Sequence, residues 1–312
     1  MNLVYILLCV VMLSASADSI TVVCTTTALE SIAEEVGGDK VDIISLVQPG
    51  VCPSHFDVRP SHIAEVGEAS LIVYHGVEPW LEDLIKASGN ESAERLQVEG
   101  PWNTPELAVK KIEQIRDALS QVDPENKEYY GENAARAVEE MSATAGALKA
   151  EAESLTVDTV PVLCMEWQQS FVEWLGFSVV GTYAPPETLS IKDVSDLITT
   201  GKTEGAILVI DNLQSGTDIG SEIAAAVGGY HVVLTNFPNA VPGAGSISEM
   251  LEYNAQQLFD AVRKYYEEEE KILELESQLE EERWKRKIYE VVSVILLIMC
   301  AVEAVLLYIR RE

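Results

Sequence analysis

The stretch DPENKEYYGENAARAVEEMSATAGALKAEAESL, residues 123–155, carries no proline after Pro124 and only Gly131 and Gly146 as weak points for a helix. Tyr130, Ala134, Ala137, Val138, Met141, Ala145, Leu148, Ala152 and Leu155 fall three and four apart, which is the spacing of one apolar helix face. The pattern predicts one continuous helix of roughly 30 residues, near 45 Å long at about 1.5 Å per residue. One small lobe has no use for that length. The helix is therefore expected to run beside two lobes and to join them stiffly.

Working outward, β-branched runs alternate with helical patterns on both sides of it. Residues 20–26, 41–47 and 70–75 read as strands before the long helix, and 159–164, 178–182, 206–211 and 231–235 as strands after it. Such alternation argues for α/β lobes with parallel sheets. Helix ends are legible too. Residues 28–36 stop at Gly37-Gly38, and Thr104-Pro105 supplies an N-cap and a first-turn proline for a helix running to Leu119. Ser190 with Asp193, and Ser246 with Glu249, have capping-box spacing.

The ends of the chain add two apolar segments. Residues 1–13 lead into Ser14-Ala15-Ser16-Ala17, so 1–17 reads as a signal peptide, with an uncleaved anchor as the alternative because no basic residues precede the apolar run. Residues 288–309, IYEVVSVILLIMCAVEAVLLYI, are long enough to cross a bilayer and are interrupted by Glu290 and Glu303. Arg310 and Arg311 after them suit the cytoplasmic side, and Lys285, Arg286 and Lys287 before them argue weakly the other way. The signal peptide decides for a single-pass protein of the cell membrane with its ectodomain outside the cytoplasm. Residues 263–287 are highly charged; Ile272, Leu275 and Leu279 sketch a heptad seam that Glu268 and Glu282 interrupt. They read as a solvated spacer, with weak self-association as the alternative.

Lys plus Arg number 21 against 51 Asp plus Glu, a formal net charge of -30, which repels phosphate backbones and excludes nucleic acid as a partner. Of the five cysteines, Cys9 falls in the signal peptide and Cys300 in the membrane segment. Cys24, Cys52 and Cys164 remain, and an odd number allows at most one disulfide among them. G-x-S-x-G, Walker and H-E-x-x-H patterns are absent from the sequence, and Cys52 with His55 has no third orienting group. The chain does not read as an enzyme.

The blocks VVCTTTALESIAEEVGGDKVDIISLVQPG, RPSHIAEVGEASLIVYHGVEPWLEDLI, LSQVDPENKEYY, WLGFSVVGTYAPPETLSIKDVSDLI and SISEMLEYNAQQL resemble the metal-binding solute-binding proteins of zinc- and manganese-type ABC importers, over about residues 20–262. The resemblance implies two Rossmann-like lobes, a metal ion held in the cleft between them, and delivery to a permease in the membrane. Together with the apolar and charged segments at the chain's ends, the expected organisation is a signal peptide at 1–17, an N-terminal lobe at 18–122, a connecting helix at 123–156, a C-terminal lobe at 157–262, a charged spacer helix at 263–287 and a transmembrane helix at 288–309. The ectodomain is expected to be monomeric. The family's usual ligands, three of them His or Glu and the last Asp, fall here on Ser54, Gly100, Met165 and Asn236. The standard ligand set is therefore replaced.

Ligands of open parallel sheets bind beyond the carboxyl ends of the strands. Those ends offer Cys52 and His55 on one side and Cys164 and Glu166 on the other, a thiolate, imidazole and carboxylate set that suits Zn²⁺ first. Met165 nearby would suit copper second. His75, Asp211, Asn212, Gln214 and Asn236, with Met165, are the possible cleft-lining residues. Each has a plainer reading: Cys24 as a buried apolar side chain, Cys52 and Cys164 as a disulfide, His55 and His62 as surface histidines, His75 as a wall hydrogen-bonder, His231 as structural. A corrinoid or metal chelate held by Trp80, Trp102 and Trp167, or a surface interaction protein that has lost its metal site, are the competing functions.

Overall fold

The computed structural model describes residues 19–310; the expected signal peptide lies outside the described residues. The chain divides into a unit ending at Phe259 and a second beginning at Asp260.

In the first unit, β1 (Ile20–Cys24), β2 (Val41–Ser45), β3 (Leu71–Tyr74) and β4 (Glu94–Gln97) form a parallel sheet in the order β2-β1-β3-β4. The second sheet repeats that order one lobe later. Its strands β5 (Pro161–Met165), β6 (Ser178–Tyr183), β7 (Leu208–Asn212) and β8 (Tyr230–Leu234) run β6-β5-β7-β8, again all parallel. The central strands are apolar on both faces: Val22, Val23, Cys24, Leu71, Ile72 and Val73 in one lobe, and Leu163, Cys164, Met165, Leu208, Val209 and Ile210 in the other, are all fully buried. That is what helices on both sides of a parallel sheet require.

Those helices are α1 (Thr27–Gly37), α2 (Pro60–Gly67), α3 (Leu81–Ser88) and α4 (Pro105–Val122) before the long helix, and α6 (Glu166–Leu175), α7 (Ile191–Glu204) and α8 (Asp218–Val227) after it. The long helix itself is α5 (Lys127–Ser154). Its buried residues Tyr130, Asn133, Ala134, Ala137, Met141, Thr144, Leu148 and Ala152 keep the predicted spacing, and they pack on α1 and α4 of the first lobe and α6 of the second. Asn133 donates to Val36 O at 2.9 Å, and Thr144 to Glu252 at 3.1 Å. One helix thus fixes both lobes.

The capping signals take the forms their sequences dictate. Thr104 Oγ1 accepts from Leu107 N, and Ser190 with Asp193 makes a reciprocal box. Ser246 and Glu249 do the same, Glu249 N donating to Ser246 Oγ and Ser246 N to the Glu249 carboxylate. Two glycines are required by geometry. Gly38 caps α1 at φ 53°, and Gly220 lies so near Asp211 that an added Cβ would stand 2.0 Å from Oδ2.

One strand is added to the expected set, and one expectation needs correcting. The strand β4 was not anticipated, because Glu-Arg-Leu-Gln carries no apolar run; it pairs at the sheet edge with β3 through residues 94–97. His62 is buried rather than solvent-facing: its Nδ1 accepts from Arg59 N at 2.9 Å and its ring lies 5.0 Å from that of Phe56. The final helix α9 (Ile247–Ile309) begins in the first unit. From residue 267 on, its described side chains are exposed. Its apolar end is long enough to cross a membrane by length and composition.

Candidate ligand site at the seam of the two lobes

In a sheet of order 2-1-3-4 the chain reverses direction of growth between the first and third strands, and loops diverge there to leave a crevice. In the first lobe that switch point is flanked by Thr25, Thr26 and Thr27 after β1 and His75 to Glu78 after β3. In the second it is flanked by Glu166 to Gln168 after β5 and Asn212 to Gln214 after β7. The two switch points face one seam.

The first-lobe side is preorganised around Glu78. Its carboxylate accepts from Thr25 Oγ1 at 2.5 Å, His75 N at 3.0 Å and Gly76 N at 2.7 Å, so its lone pairs are committed to folding the loop. His75 Nε2 pairs with Thr26 Oγ1 at 2.9 Å, and its ring stacks on Trp102 at 4.1 Å, which in turn stacks on Phe237. Burial pulls the His75 pKa down to about 4, against the opposing pull of the Glu78 carboxylate. His75 is a neutral imidazole at pH 7.

On the second-lobe side Gln168, fully buried, donates through Nε2 to Asn212 Oδ1 at 3.2 Å and Asn236 Oδ1 at 3.0 Å. Gln214 donates to Thr235 Oγ1 at 2.9 Å and accepts from Asn236 N at 3.1 Å. Four hydrogen bonds then cross the seam. Gln214 Nε2 reaches Pro49 O at 3.0 Å, Thr27 Oγ1 reaches Pro238 O at 2.8 Å, Trp102 Nε1 reaches Asn236 O at 2.6 Å, and Asn103 Nδ2 reaches Trp167 O at 2.8 Å. Two buried acceptors, Asn103 Oδ1 and Gln168 Oε1, have no hydrogen-bond donor among the described residues. Neutral oxygens of this kind suit a hydrogen-bond donor or a hard cation.

The expected thiolate set is not assembled. Cys164 is fully buried in β5, where its thiol donates to Met165 O at 3.3 Å. Burial first, then the Glu173 and Asp211 carboxylates, pushes that thiol well above its ordinary range and keeps it protonated. Cys52 is half-buried at the N-cap of the turn Pro53–His55, His55 is exposed at its end, and Glu166 is exposed in the first turn of α6. Among the described residues, no three His, Cys, Asp or Glu side chains gather as a metal centre. Cys24, Cys52 and Cys164 are all free thiols.

The cleft-lining expectations divide. His75, Asn212, Gln214 and Asn236 do line the seam. Met165 does not: its sulfur is buried in the second-lobe core and accepts from Trp167 N, which removes the thioether that suited copper. Asp211 is likewise internal, accepting from Tyr183 Oη and pairing with His231 Nε2, both at 2.7 Å. Sequence reasoning missed Gln168 and Asn103 as seam residues, since an uncharged amide announces no chemistry.

A family profile described as "Zinc-uptake complex component A periplasmic" matches residues 22–261. A putative metal-binding protein of Treponema pallidum (strain Nichols) is 34% identical over 82 residues, 26% of this chain and 26% of that one. The manganese ABC transporter substrate-binding lipoprotein PsaA of Streptococcus pneumoniae is 25% identical over 154 residues, 41% of this chain and 50% of that protein. The chain thus spans half or less of the length of these curated relatives. A solved periplasmic metal binding protein from Candidatus Liberibacter asiaticus superposes with a TM-score of 0.68 at 18% identity, over 78% of this chain and all of that one; it shows a shared fold. With two parallel sheets on one long helix and a profile match across both lobes, the chain belongs to the family of the periplasmic component A of the zinc-uptake complex.

Proposed function

We propose that this protein is an extracytoplasmic, membrane-anchored binding protein that captures a transition-metal ion, zinc first, and hands it to the permease of an ABC importer. The observation that carries this reading is the position of the loop holding Cys52 and His55. It follows β2, and its Pro49 carbonyl is the group that Gln214 of the other lobe grips. The soft donors therefore ride on the loop that closes the seam. Cys52 and His55 take the ion, and Glu166 of the second lobe is the carboxylate that would join them on binding; Cys164, protonated and buried, takes no part. The anchor is the apolar end of α9.

A second reading rests on the two acceptors Asn103 Oδ1 and Gln168 Oε1. Oxygen donors favour a harder ion such as Mn²⁺, the metal in the name of the streptococcal relative. Thermal unfolding of the full chain in detergent, with zinc or manganese added, separates the two. A ligand that binds the native state raises the midpoint with its concentration. A zinc-dependent rise abolished by Cys52→Ser with His55→Ala supports the first reading; a rise with manganese alone supports the second. No shift with either ion removes both.

A further inference from the structure

We infer that α9 is a pairing helix, and that its partner is a second copy of this chain lying parallel to it. The inference is independent of which ion the seam takes. Counting in sevens from Ile272 places Ile272 and Leu279 at a positions and Leu275 at a d position of one helical stripe. These side chains are 56%, 52% and 56% exposed in a single chain, an apolar seam in a segment whose other side chains are mostly charged.

The same register continues into the membrane segment. Ser293 and Cys300 fall at a positions and Glu303 at a d position, and within residues 291–307 these three are the polar side chains. A carboxyl group inside a bilayer segment faces protein or water rather than lipid, and small polar residues let membrane helices approach closely. One stripe therefore carries both the apolar seam of the spacer and the polar seam of the span.

Charge complementarity selects the occupant and its direction. Positions g hold Lys264, Lys271, Gln278 and Lys285; positions e hold Glu269, Glu276, Arg283 and Glu290. In a parallel pair each g residue meets the e residue five places on in the other copy. The meetings are Lys264 with Glu269, Lys271 with Glu276, Gln278 with Arg283 and Lys285 with Glu290, so three are of opposite sign and none is of like sign. Within residues 264–282 the only two basic residues, Lys264 and Lys271, both stand at g. An antiparallel pair would set g against g and e against e, lysine on lysine and glutamate on glutamate. In one copy Lys264 reaches Glu268 at 4.0 Å and Lys285 reaches Glu281 at 2.8 Å. Both are exposed pairs along one helix, which contribute little and yield readily to a partner.

Glu268 and Glu282 at d positions, and Arg286 at an a position, keep the seam weak in free solution. Confinement of both copies in one membrane, in one orientation, supplies the effective concentration that a short seam lacks.

The test uses the full chain in lipid vesicles, with Cys52→Ser and Cys300→Ser as background and single cysteines introduced by Leu275→Cys, Leu279→Cys and, as an outward-facing control, Ser277→Cys. Mild oxidation is expected to give a disulfide-linked dimer several-fold more abundantly from positions 275 and 279 than from 277. Adding Lys271→Glu to Leu275→Cys should lower the dimer yield several-fold, and adding Glu276→Lys as well should restore it. Equal yields at all three positions, no dimer at 275 and 279, or failure of the double charge exchange to restore the yield would overturn parallel self-pairing.

Discussion

Asn236 accepts a hydrogen bond from Gln168 at 3.0 Å on the second-lobe side of the seam. One amide here binds another, and Gln168 ties Asn236 to Asn212 as well. The seam is held together by neutral groups. Gln168→Leu leaves two carbonyl oxygens, those of buried Asn212 and half-buried Asn236, without their donor, and such a loss costs about 1–3 kcal/mol where the group is buried. Denaturant unfolding should show a loss of about 2–4 kcal/mol; a loss under about 0.5 kcal/mol would mean that the amide cluster does not support the seam.

Glu35 and His75 are displaced in opposite senses. Burial, with Glu140 beside it, raises the Glu35 pKa from 4.5 to about 7. An acid raised in the folded state binds more protons there, so its contribution is complete below pH 4.5 and is lost as pH rises through about 7. His75 is lowered from 6.5 to about 4, so its contribution is present above pH 6.5 and is lost as pH falls towards 4. Each is worth on the order of 3 kcal/mol. Stability of the native chain should be nearly flat between pH 5 and 6.5 with respect to this pair. Glu35→Gln should make stability fall more steeply on acidification, and His75→Gln should make it rise. Unchanged slopes in both variants would contradict the assignment.

Gly220 and Gly131 offer a contrast between packing and propensity. At Gly220 a methyl group would strike the Asp211 carboxylate, which holds Tyr183 and His231. Gly220→Ala should destabilise by about 2–4 kcal/mol through overpacking and loss of that buried network. Gly131 lies inside α5 with nothing within 4 Å of an added Cβ, so Gly131→Ala should stabilise by about 0.5–1 kcal/mol. Equal effects at the two sites in thermal unfolding would count against the packing described.

Most of the architecture is legible in the sequence, because buried parallel strands must be apolar and the long helix must repeat every three or four residues. The strand at 94–97 escaped because an edge strand needs backbone partners more than apolar side chains. Cys164 illustrates a second limit. Sequence places it at a strand end, but only packing decides that its thiol points into the second lobe, where it stays protonated. Gln168 and Asn103 illustrate a third. Their importance comes from which acceptors and donors surround them, and that information lies in residues 44 to 68 positions away.

The central claim is that a transition-metal ion is taken by Cys52 and His55. Elemental mass spectrometry of the full chain, purified in detergent under reducing conditions without chelators and exposed to equal zinc and manganese, tests it most directly. The account predicts about one zinc per chain, as one four-coordinate site would hold, and its loss on Cys52→Ser with His55→Ala. Zinc retained by that variant, or a native chain that takes up no zinc, would contradict it.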